Sequence, residues 1–128
     1  MRIENEKKNG KLWLAGWGND EADIMLIISH PQREDLKAGQ ILGEDDELAY
    51  NARTEVQDAL EAVGLDIEND CWVTSMVKYG LGSKDKPSAD QIEECAAELD
   101  EEIAYVKPKL IIALGAEVFK RVMKQNIK

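Results

Sequence analysis

The chain has 128 residues, 44% hydrophobic and 33% charged, with a formal net charge of −10. That length predicts one domain over residues 1–128 with a core of real size, and no apolar run approaches the roughly 20 residues of a membrane span. The charged start MRIENEKKNG stands where a signal peptide would carry apolar residues, so the expectation is a soluble, cytoplasmic protein with no membrane partner.

Residues 1–20 carry Trp13 and Trp17 at helical spacing, broken by Gly10, Gly16 and Gly18, and read as an irregular N-terminal arm that lays aromatic rings on the core. Ile24, Met25, Leu26, Ile27 and Ile28 follow without a polar interruption, which predicts a parallel strand covered on both faces. Its carboxyl end is Ser29-His30-Pro31-Gln32. In open α/β sheets the functional crevice lies just outside such strand ends, so these four residues are the candidate pocket. Residues 32–46 read as a long, charged loop with Gly39 and Gly43. Leu48, Ala52, Val56, Ala59, Leu60 and Val63 recur every three or four residues, predicting a helix that Gly64 ends.

Residues 71–77, CWVTSMV, are rich in strand formers and predict the second strand, followed by a loop to Pro87. Ser88 and Gln91 have capping-box spacing, and Ile92, Cys95, Ala96, Leu99, Ile103 and Val106 form the stripe of the helix they open, which Pro108 ends. Residues 110–114, LIIAL, predict a third buried strand, and Gly115 turns it into a last helix bearing Val118, Phe119, Val122 and Met123. Alternating strands and helices predict an α/β fold, a three-layer doubly wound parallel sheet. Three strands make a small sheet: either the N-terminal arm completes it, or an edge strand has been lost, or the chain is a fragment.

Cys71 and Cys95 lack CxxC spacing and read as reduced core residues, so no metal or cofactor is expected. His30 is the candidate acid or base at the crevice, since imidazole titrates near neutrality, although incidental placement weighs against it. Glu34 and Asp35 suggest a carboxylate pair, with a solvated or helix-start charge as the plainer reading. Charge is uneven. Residues 31–70 hold 12 acids against 3 bases, whereas residues 107–128 hold 6 bases against 1 acid. Any nucleic-acid contact is therefore expected at Lys120, Arg121 and Lys124.

In order along the chain, ADIMLIISHPQRED resembles the strand and GEAPGxxED loop of the uracil-DNA glycosylase superfamily, especially its iron-sulphur branch and the related domains attached to some phage DNA polymerases. TSMVKYG resembles that family's TNVVKCRP, and IEECAAELDEEIAYVKPKLIIALGAEVF its helix, strand and LG turn. The resemblance implies a doubly wound sheet that flips a uracil nucleotide into a pocket at the strand ends. It also places substitutions at the chemistry. Ser29 stands for the acidic residue and Ser75, a fifth candidate pocket residue, for the base-reading Asn; GQILG (39–43) offers no counterpart to the stacking Phe, and residues up to 128 hold no HPS-like motif. Of the four cluster-binding cysteines only Cys95 matches, Tyr79 takes another position, and the paired N-terminal cysteines are absent. The expectation is a degenerate glycosylase-like module of a phage replication or repair protein, docking to protein partners or binding DNA weakly. The alternative is an active glycosylase that uses His30.

Overall fold

The computed structural model describes residues 1–43 and 52–126, with backbone alone from residue 124. Its central strand is β4 (Ile24–Ile28), paired in parallel with β5 (Cys71–Ser75) on one side and β6 (Leu110–Leu114) on the other. The registers Ile24↔Cys71 and Ile24↔Leu110 bring Ile28, Ser75 and Leu114 to one level at the carboxyl ends. Side chains alternate across a strand, so the sheet has two apolar faces. Leu26, Ile28 and Val73 pack with Ile41, Leu42, Leu60 and Ile67. Met25, Ile27 and Trp72 pack with Leu99, Val106, Val118 and Val122. One face is thus covered by α2 (Ala52–Ala62) and α3 (Ile67–Asp70), the other by α4 (Ala89–Val106) and α5 (Ala116–Asn126). The result is a three-layer α/β fold with a mostly parallel sheet. Among the described residues, no helix is long and apolar enough to cross a membrane.

The N-terminal arm is not irregular. It forms a hairpin, β1 (Glu6–Lys8) with β2 (Lys11–Trp13), and a short β3 (Trp17–Gly18) antiparallel to β5, giving the sheet order β3-β5-β4-β6. The turn signal lay in Asn9 and Gly10, which both adopt positive φ (53° and 75°), the requirement of a two-residue hairpin turn. The helical spacing of Trp13 and Trp17 was therefore misleading, since both lie in strands. β6 is not the buried strand expected: among the described residues it is the other edge, and Leu110 is 54% exposed.

Residues 32–46 are not all loop either. Gln32 opens α1 (Arg33–Ala38), which Gly39 ends in the left-handed region at φ 72°. In α2 the inward face is Arg53, Val56, Gln57 and Leu60, while Ala52 and Ala59, and Val63 in the turn after the helix, are exposed; Leu48 lies outside the described residues. The stripe of α5 divides likewise, Val118 and Val122 inward and Phe119 and Met123 outward. In α4 the capping box of Ser88 and Gln91 forms as its spacing requires.

Candidate functional site

The chain leaves β4 at Ile28, and the loop of Ser29, His30, Pro31 and Gln32 separates two cavities. The first, about 510 Å³, is walled by Ile28, Ser29 and Leu114 at the strand ends, by Asp35 and Leu42, and by Arg53 on α2. The second, about 590 Å³, lies between His30, Pro31 and Arg33 and the loop of residues 80–85. Gln32 borders both. The four candidates at the end of β4 thus meet at one loop but face different spaces.

Ser29 and His30 are each half-buried, and Ser29 Oγ lies 3.1 Å from His30 Nδ1. Burial lowers the His30 pKa, with Glu117 pulling weakly the other way, so the ring is neutral near pH 7. The unfolded chain then takes up a proton more readily than the fold. Stability from this site is present above the ordinary imidazole value and is lost as pH falls through the lowered one. A midpoint below that of a free imidazole is expected when the His30 ring is titrated by NMR. The His30→Gln variant should lose less stability between about pH 7 and pH 5. A midpoint at or above the ordinary value would contradict the placement.

Asp35 is buried, and both its oxygens are engaged: Oδ2 accepts from Gln32 N at 2.9 Å and Oδ1 from Gly43 N at 3.3 Å. Burial pushes its carboxyl above the usual range, with these amides opposing. It closes the capping box of α1 by reaching back from the first turn to the amide of the N-cap Gln32, and it clamps the loop that returns to the cavity, while the neighbouring Glu34 is more open to solvent. Arg53, a site sequence patterning missed, is buried beneath the same loop. Its Nη1 donates to Leu42 O at 3.1 Å, and its guanidinium lies 4.9 Å from the Trp17 ring centre.

Ser75 borders neither cavity. It is fully buried, and its Oγ has no hydrogen-bond partner among the described residues. Its carbonyl accepts from Lys78 Nζ at 2.6 Å, within a network that sequence patterning also missed. Lys78 Nζ reaches Glu102 Oε2 at 2.5 Å and Thr74 Oγ1 at 2.9 Å, and Trp72 Nε1 donates to Glu102 Oε1 at 3.2 Å. Beyond Ser75, Met76 N donates to Ile28 O (2.8 Å) and Val77 N to Ser29 O (2.9 Å), so this network fixes the strand end that carries the cavity wall. One signal was available: Glu102 falls between Leu99 and Val106 on the inward stripe of α4.

The sequence profile described as Uracil DNA glycosylase superfamily matches residues 15–127. The chain belongs to the uracil-DNA glycosylase superfamily. It is 27% identical over 104 residues to a type-4 uracil-DNA glycosylase of Archaeoglobus fulgidus, covering 80% of this chain and 48% of that protein. With the type-4 uracil-DNA glycosylase of Sulfurisphaera tokodaii the identity is 29% over 115 residues, covering 84% and 49%. The chain therefore spans about half the length of these curated relatives.

The iron-sulphur branch of the superfamily implies a cluster, and the donor set here does not fit one. Of the implied positions, Cys95 offers a single thiol and Tyr79 a phenol. Both are fully buried, beside Trp13 and Val77. Burial raises the Cys95 thiol above its ordinary value, and its Sγ accepts from Lys78 N at 3.4 Å. A cluster needs thiolates from several residues, and no group of three or more metal-binding side chains stands together among the described residues. On α5, Lys120 is exposed, while Arg121 is partly buried and bonds Asp100 Oδ2 at 3.3 Å. The side chain of Lys124 lies outside the described residues.

Proposed function

We propose that this chain is a catalytically degenerate uracil-DNA glycosylase-like domain, a docking or weak nucleic-acid-binding module of a DNA replication or repair protein, in keeping with the resemblance to phage polymerase-associated domains. The supporting observation is the state of the first cavity. Where the resemblance implies a carboxylate at the end of β4 there is the Ser29 hydroxyl, and the buried carboxylate beside it, Asp35, has both oxygens held by backbone amides. Hydrolysis of an N-glycosidic bond needs a group that orients or activates water and stabilises a cationic sugar. A hydroxyl supplies no such charge. Leu42 adds an aliphatic wall where a stacking ring is implied. Uracil excision assays on single-stranded and mismatched duplex DNA test the reading, with release near background as the expected result.

A second reading rests on the Ser29–His30 contact: an active glycosylase could use the neutral imidazole as its base. His30 borders the second cavity, away from Leu42, which favours the first reading.

DNA affinity is expected to be weak, because Glu34, Asp35 and Glu55 gather at the first cavity against one arginine already bonded to Leu42. Contacts through Lys120, Arg121 and Lys124 release about three counterions, so log K should fall with log salt with a slope of at most about −3. Fluorescence anisotropy over a salt series measures it. Tight binding at physiological salt, or binding unaffected by neutralising all three, would relocate the surface.

A further inference from the structure

Where the iron-sulphur branch implies a metal cluster, this chain places aromatic rings. Trp13, from the arm in which the paired cysteines are absent, stands 5.2 Å from Tyr79, centroid to centroid and tilted by 51°, and each residue is only 1% exposed. Three cations of the same arm cover the pair. Lys8 lies 4.6 Å and Arg2 5.3 Å from the Trp13 ring centre, and Lys11 lies 4.1 Å from that of Tyr79. Both sides of the stack are tied to α4: the Tyr79 hydroxyl donates to Glu94 at 2.6 Å, and Arg2 Nη2 bonds Glu98 at 2.6 Å. The backbone closes the same junction, with Leu14 N donating to Lys78 O at 2.8 Å.

We propose that the cation-capped Trp13–Tyr79 stack takes the place of an iron-sulphur centre as the fastening between the N-terminal arm, α4 and the chain leaving β5. A cluster joins distant segments through metal–thiolate bonds. Here large aromatic surfaces removed from water join the same three segments, and the cations over the ring faces add attraction to the negative quadrupole. The fastening therefore needs neither metal nor reducing conditions. The inference is independent of whether the cavity at the end of β4 binds or cleaves anything.

Protein purified without oxygen and incubated with ferrous iron and sulfide is expected to remain colourless and to retain no stoichiometric iron after desalting. About four irons per chain with visible charge-transfer absorbance would overturn the proposal. Trp13→Ala should lower Tm by roughly 10 °C or more. An unchanged Tm would also overturn it. Trp13→Phe keeps a smaller ring and decides the matter should Trp13→Ala fail to fold. Hydrogen exchange in Trp13→Phe is expected to accelerate together in β1, in β2, at residues 79–81 and in the first turns of α4, while β4 keeps its protection. Acceleration confined to the hairpin, or none, would show that the stack fastens nothing beyond the arm.

Discussion

Uracil release by this chain is expected to stay near the uncatalysed background in single-turnover assays. Positioned acid-base groups typically contribute about 10²- to 10⁴-fold, and a preorganised electrostatic donor about 10²- to 10³-fold, so losing both leaves little above background. Ser29→Glu returns a carboxylate to the first cavity and should give at most a small gain, because Leu42 offers no ring on which a base could stack. Ser75→Asn is expected to be worse than neutral. Ser75 is fully buried and reaches neither cavity, so the larger side chain overpacks the strand end at a cost of about 1–3 kcal/mol. His30→Ala run in parallel separates the two readings. Robust excision by the unmodified chain that disappears in His30→Ala would install His30 as the catalytic group and sink the degenerate-domain proposal.

Glu102→Ala is expected to destabilise the fold by about 3–5 kcal/mol, the range for removing one partner of a buried ion pair. Glu102 and Lys78 are 2% and 1% exposed, so without the carboxylate the buried Lys78 ammonium, Thr74 hydroxyl and Trp72 indole lose a shared acceptor. The double variant Lys78→Met with Glu102→Leu removes both charges and should recover part of the loss, since an apolar pair of similar volume is often neutral or better, while the Thr74 hydroxyl and the Trp72 indole stay without their acceptor. Urea denaturation of Lys78→Met, of Glu102→Leu and of the double variant measures the coupling. Additive losses would show that the pair acts as two separate hydrogen-bonding groups. Gly16 belongs to the same arrangement: a Cβ there would stand 2.5 Å from Glu102 Oε1 and 2.7 Å from Trp72 Nε1. The small residue is what allows the arm to cross the network.

Much of the fold was legible because its signals are local. The apolar run of β4, the strand formers of β5 and the Ser88 cap of α4 each declare themselves within a few residues. The strand end at Ser29 followed from the same logic, and its loop does border both cavities. Asp35 was read as one of a suggestive pair or, more plainly, as a solvated or helix-start charge; it does stand in the first turn of α1 and closes the capping box there, while its burial and second acceptor bond depend on where Gly43 returns. Arg53 was invisible as an inward residue, since its burial depends on the Leu42 carbonyl and the Trp17 ring, both remote in sequence.

By itself the sequence determined the alternation of strands and helices and the substitutions at the superfamily's motifs. Only the tertiary structure decided which neighbours each element meets. LIIAL is as apolar as IMLII, yet among the described residues β6 has one neighbouring strand and β4 has two, because hydrophobicity reports a preference for burial and not the number of partners found. The ion pair of Lys78 with Glu102 and the stack of Trp13 on Tyr79 join residues far apart in sequence. Periodicity and caps act over one or two turns of chain, whereas the partner of a buried charge or ring is supplied by packing.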